Sequence, residues 1–64
     1  MAPNENVNLP LRWEFVPVAT TAGGTILWRW GAYTQDGRLA VQSDREFDTY
    51  SACISDAKLH GYTG

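Results

Sequence analysis

The stretch Trp28-Arg29-Trp30-Gly31-Ala32-Tyr33-Thr34-Gln35-Asp36-Gly37-Arg38-Leu39-Ala40-Val41-Gln42-Ser43 decides how this chain folds. Apolar residues alternate along its first part, with Trp28, Trp30 and Ala32 facing one way and Arg29, Gly31 and Tyr33 the other. Strict alternation is the mark of a strand buried on one side. Asp36-Gly37 interrupts the pattern with a pair favoured in tight hairpin turns. Leu39, Val41 and Ser43 then share a face opposite Arg38, Ala40 and Gln42. A two-residue turn at Asp36-Gly37 pairs Gln35 with Arg38, Ala32 with Val41 and Trp30 with Ser43, which joins the apolar faces. A three-residue loop with a bulge would split them, because a one-residue slip exchanges the faces of a strand. A four-residue loop, Thr34 to Gly37, keeps the same facing.

Working outward, Leu11-Arg12-Trp13-Glu14-Phe15-Val16 is a second alternating segment, with Leu11, Trp13 and Phe15 on its apolar side. Pro17 lacks an amide hydrogen, so this strand ends there or lies at a sheet edge. Ala19 to Gly24 is rich in turn residues and reads as a hairpin connection to a strand starting at Thr25. The glycine pair within it is not followed by the lysine of a phosphate-binding loop.

Downstream, Asp48 is the expected helix N-cap, with Phe47 packing back on the first turn. Tyr50, Cys53, Ile54, Ala57 and Gly61 follow helical spacing and define the buried stripe, while Ser51, Ser55, Asp56 and Lys58 point away. Gly61 suits the residue just past the helix end. The fold class is therefore α+β: a three-stranded antiparallel meander with one C-terminal helix packed on one face. The expected core is Leu11, Trp13, Phe15, Ile26, Trp28, Trp30, Ala32, Leu39, Val41, Phe47, Tyr50, Cys53, Ile54 and Ala57. Residues 1–9 carry no apolar periodicity and read as a disordered tail; 10–64 form a single domain.

The order strand, Asp-Gly turn, strand ending in a Ser-acidic pair (Ser43-Asp44), aromatic (Phe47) and short helix (core Cys53, Ile54, Ala57) resembles the bacterial YegP-like modules. The resemblance spans residues 27–60. The chain departs from that pattern where Arg45-Glu46 adds a residue before Phe47, and at Asp56, where the family has glycine. It implies a β-β-β-α domain of uncharacterised function and a tendency of single-repeat members to pair as dimers. It brings no catalytic residues.

Composition narrows the remaining functions. The chain has 64 residues, one cysteine and one histidine, so neither an internal disulfide nor a four-ligand zinc site can staple it. Three Trp, three Tyr and two Phe supply the burial instead. A net charge of −2 leaves no basic footprint for nucleic acid or an anionic membrane. No apolar run approaches the ~20 residues of a membrane span, and the start of the chain has no secretory pattern. The expected location is cytoplasmic, with no cofactor and no metal.

Candidate chemistry is sparse. Cys53 and His60 lie seven residues apart on one helix, about 10 Å along its axis, well beyond hydrogen-bond reach. Asp56 and His60, at i and i+4, are two ligands and do not make a metal site. The charged residues around Phe47 read as a solvated connection. The open face of the sheet, with Arg12, Val16, Leu27, Arg29, Tyr33 and Ala40, is the expected interaction surface. The expected function is a non-enzymatic protein-interaction or homodimerisation module. The alternative is a single-stranded nucleic-acid binder that stacks bases on Tyr33 beside Arg29 and Arg12.

Overall fold

The computed structural model describes residues 10–63. Three strands, β1 (Arg12–Thr20), β2 (Ile26–Tyr33) and β3 (Leu39–Gln42), form one antiparallel sheet in the order β1-β2-β3, followed by helix α1 (Tyr50–Leu59). The fold is the expected three-stranded meander with a C-terminal helix. The tail assigned to residues 1–9 lies outside the described residues.

Both hairpins close by the same local chemistry. At Thr21-Ala22-Gly23-Gly24-Thr25 the amide of Gly24 donates to the Thr21 carbonyl at 2.9 Å, and the Thr21 amide donates to the Thr25 carbonyl at 2.8 Å. At Thr34-Gln35-Asp36-Gly37-Arg38 the equivalent bonds are 3.0 Å and 2.8 Å. In each case the threonine hydroxyl oxygen accepts from the amide of the fifth residue, at 3.1 Å in the first turn and 3.2 Å in the second. Gly24 and Gly37 sit at φ of 90° and 88°, the left-handed position that a three-residue loop requires and that glycine adopts at no steric cost. The Thr34 hydroxyl also donates to Asp36 and holds that carboxyl below its usual range.

The turn at Asp36-Gly37 is thus a three-residue loop, Gln35 to Gly37, in place of the expected two-residue one. The apolar faces still meet, because a second irregularity compensates. Ala32 pairs with Val41 as expected, and the Ser43 amide donates to the Trp30 carbonyl at 2.9 Å. Between them and the turn Tyr33 pairs with Leu39, which leaves Ala40 as an extra residue in β3. Leu39 consequently shares the outer face with Tyr33 and is exposed, whereas alternation had placed it in the core. The first hairpin repeats the device: Pro17 pairs with Trp28 and Ala19 with Leu27, and Val18 is the extra residue. Pro17 lies within β1, on an edge strand where its missing donor is tolerated.

Helix α1 covers the inner face. Trp30, Ala32, Cys53 and Ala57 are fully buried, and Trp13, Phe15, Trp28, Val41, Phe47 and Tyr62 pack around them. Ile26 and Tyr50, both expected in the core, are nearly half exposed. Ten helical residues reach only about 15 Å, while the nine residues of β1 extend roughly 30 Å, so the far end of the first hairpin outruns the helix. Tyr50 nevertheless meets Phe15 and Trp28 edge-on, at ring separations of 5.9 Å and 5.0 Å.

The helix ends are defined by side-chain and backbone chemistry. The N-cap is Thr49, one residue beyond the expected Asp48; its hydroxyl accepts from the Ala52 amide at 3.0 Å. Phe47 is held before it by a backbone bridge to Trp28, with bonds of 2.7 Å and 2.8 Å, and that bridge fixes where the helix starts. At the other end Gly61, at φ 116°, reverses the chain. The Tyr62 amide donates to the Ala57 carbonyl at 3.1 Å and the Gly61 amide to that of Lys58 at 3.4 Å, the bonding of a Schellman cap. The cap turns Tyr62 onto Trp13 and Phe15, at 5.4 Å and 5.0 Å.

Replacing Thr49 with alanine is expected to cost about 1 kcal/mol, whereas Asp48→Ala should stay within about 0.5 kcal/mol of the parent. Chemical denaturation followed by helix circular dichroism separates the two, and equal losses would contradict the cap assignment.

Candidate functional site

Two places bring polar and reactive side chains together. One lies under the helix and the other on the open face of the sheet.

Beneath the helix, Trp30 is 1% exposed. A buried indole N–H needs an acceptor, and Asp56 Oδ2 provides one at 2.8 Å. Asp56 was expected on the solvated side of the helix; its side chain is instead only 15% exposed and turned to the sheet. His60 completes the group. Its Nδ1 lies 2.9 Å from the Asp56 carbonyl oxygen and 3.8 Å from Asp56 Oδ2, and its ring lies 5.1 Å from that of Trp30. Asp56 and His60 are therefore neighbours, as their spacing requires, but the carboxylate is engaged with the indole. Among the described residues no group of three or more His, Cys, Asp or Glu could hold a metal ion.

Cys53 is enclosed on the same side. Burial pushes its thiol pKa up, and the Asp56 charge adds to the effect. Both act against the thiolate, the reactive form. This is the core cysteine that the helical stripe implied.

The outer face carries the expected surface residues, arranged in rows by the register. Arg12 pairs with Tyr33, Glu14 with Gly31, Val16 with Arg29, and Ala19 with Leu27. Gly31 pairs onward with Gln42 and Tyr33 with Leu39. Around Gly31 the surface dips into a shallow depression of about 80 Å³ bordered by Glu14, Val16, Arg29, Tyr33 and Gln42. The Leu39 and Tyr33 side chains lean over the glycine, each 3.4 Å from where a β-carbon would stand. Ala40 is exposed as the extra residue of β3, outside the depression.

Arg29 and Tyr33, the groups of the base-stacking alternative, are both engaged within the chain. The Arg12 guanidinium lies 4.9 Å from the Tyr33 ring centre, a cation–π distance, and pairs with Glu14. Arg29 Nη2 lies 3.5 Å from Glu46, and its Nε is buried without an acceptor among the described residues. The connection before the helix, expected to be a solvated run, folds back on the sheet: Glu46 reaches Arg29, and Arg45 lies 5.5 Å from the ring centre of Phe47.

No protein-family model, curated protein or solved structure matches this chain. No helix among the described residues is long and apolar enough to cross a membrane.

Asp56→Ala strands the Trp30 N–H and should cost about 1–3 kcal/mol, while Asp56→Asn, which keeps an acceptor, should cost less. Equal losses in denaturant unfolding would contradict the hydrogen bond's role. Cys53 gives a pH dependence with a definite sign. The folded state holds the thiol proton more tightly than the unfolded chain. The associated stability is intact below the ordinary thiol value of 9.0 and is lost as pH rises from there through the folded value. Unfolding midpoints from neutral to alkaline pH should fall more steeply for the parent than for Cys53→Ala; identical slopes would exclude the effect.

Proposed function

We propose that this chain is a non-enzymatic protein-interaction module that self-associates through the open face or an edge of its sheet, in the cytoplasm, in the manner of the bacterial YegP-like modules it resembles. One observation carries the reading: the helix covers a single face. The other face holds Val16, Leu27, Tyr33 and Leu39 among paired charges, with a dip at Gly31. Apolar sheet surface left in water commonly marks an interface. The four fully buried apolar residues among those described are a small core for a chain with one cysteine, and domains of this size often gain stability from a partner subunit. The enclosure of Cys53 and the use of Asp56 by Trp30 support a role without catalysis.

The nucleic-acid alternative has less support. Arg12 already covers a face of Tyr33, and Arg29 is drawn to Glu46. Those are the groups that would stack on a base or neutralise a phosphate. Sedimentation velocity from micromolar to millimolar protein should show the mass moving from one chain toward two. A single-chain mass throughout would overturn the self-association reading.

A further inference from the structure

Four positions at the centre of the outer face form a quartet. Glu14 and Val16 belong to β1, and the register sets Glu14 beside Gly31 and Val16 beside Arg29 on β2. The charges therefore occupy one diagonal, and the aliphatic and glycine positions the other. Consider two such sheets face to face about a two-fold axis along the Val16–Gly31 diagonal. The operation exchanges the remaining corners, so each Glu14 meets the Arg29 of the second copy. Val16 then meets its own equivalent on the axis. The Gly31 positions also fall on the axis, where the Leu39 and Tyr33 side chains that lean over them form the apolar part of the contact.

Resting on the interaction-module reading, we propose that the partner is a second copy of this chain, bound face to face through the outer sheet surface by reciprocal Glu14–Arg29 ion pairs. A two-fold contact requires a patch complementary to itself in charge, and the quartet meets that requirement. Both side chains are within reach of a partner, with 43% of Glu14 and 36% of Arg29 exposed. The tie of Arg29 to Glu46, at 3.5 Å, is a long one, which leaves the guanidinium able to take a second carboxylate. Glu14, paired with Arg12 through one carboxylate oxygen, keeps its other oxygen for a partner's guanidinium. The edges compete less well. The β1 edge contains Pro17 and a bulge, and β3 has only four residues with its own bulge. Strands of nine, eight and four residues, about 4.8 Å apart and rising about 3.3 Å per residue, present a footprint of roughly 330 Å². That is less than half the ~800 Å² per partner of a standard complex, so the dimer dissociates within the concentration range of sedimentation.

The test is a charge exchange between separate chains. Glu14→Arg and Arg29→Glu, each alone, set like charges across the axis and should weaken self-association at least about tenfold. Mixed in equal amounts, the two variants complement each other at both contacts, and a heterodimer of near-parental affinity should form. Changes to the ion pairs within one chain cannot produce that rescue. Near-ultraviolet circular dichroism of the tryptophans checks that each variant is folded. Val16→Asp, an exposed change that sets two carboxylates together on the axis, gives an independent route and should also yield monomers. A parental dimer that tolerates all three changes, or that is abolished by Ala40→Pro at the β3 edge and not by them, would overturn the face-to-face arrangement while leaving self-association intact. A parent that remains monomeric would remove the underlying reading as well.

Discussion

Everything on the inner side of this sheet depends on satisfying one N–H group. A tryptophan buried to 1% exposure brings a large apolar surface into the core together with one obligatory donor. Asp56 answers that donor at 2.8 Å and thereby fixes the rotation of the helix about its own axis. With Asp56 turned to the sheet, Cys53 and Ala57 project into the space beside Trp30, and His60 settles against the indole. The Schellman cap then delivers Tyr62 to Trp13 and Phe15. The aromatic cluster is thus held by one polar contact at its centre and by apolar contacts around it.

Element order and the inner-face register are legible from alternation and helical spacing, because both are imposed by which residues must leave water. Trp28, Trp30, Ala32 and Val41 face inward for that reason, and Gly61 ends the helix through its backbone freedom. What alternation misses is decided by hydrogen bonds that apolar patterns do not encode. The real turn signal is Thr-x-x-Gly, present at Thr21–Gly24 and again at Thr34–Gly37, and it specifies loop size through the threonine oxygen. The displacement of Leu39 to the outer face follows from the bulge at Ala40. Thr49 displaces Asp48 as cap because the Phe47–Trp28 bridge sets the start of the helix.

The outer face was legible as a surface and not as an electrostatic arrangement. Residue types alone place Arg12, Val16, Leu27, Arg29 and Tyr33 on one side. They do not reveal that Arg12 lies over Tyr33, or that Glu46, from a loop expected to be solvated, reaches back to Arg29. Tyr62 is the converse: no periodicity marks it, and only the hydrophobic contact that accompanies a Schellman cap could have pointed to it. Asp56 is the residue at which helical position misleads, since a carboxylate at the border of the buried stripe can turn either way and the indole decides.

The paired irregularities of the second hairpin give the chain slack. The glycine loop and the extra residue at Ala40 offset each other in facing, so the inner ladder from Ala32 to Trp30 does not sense the length of the segment beyond it. A chain shortened by one residue at Ala40 would still set Val41 against Ala32 and Leu39 against Tyr33, now as a regular ladder. The tip of this hairpin can therefore vary in length without disturbing the tryptophan beneath the helix. That freedom would let related sequences reshape the outer face while keeping the same core.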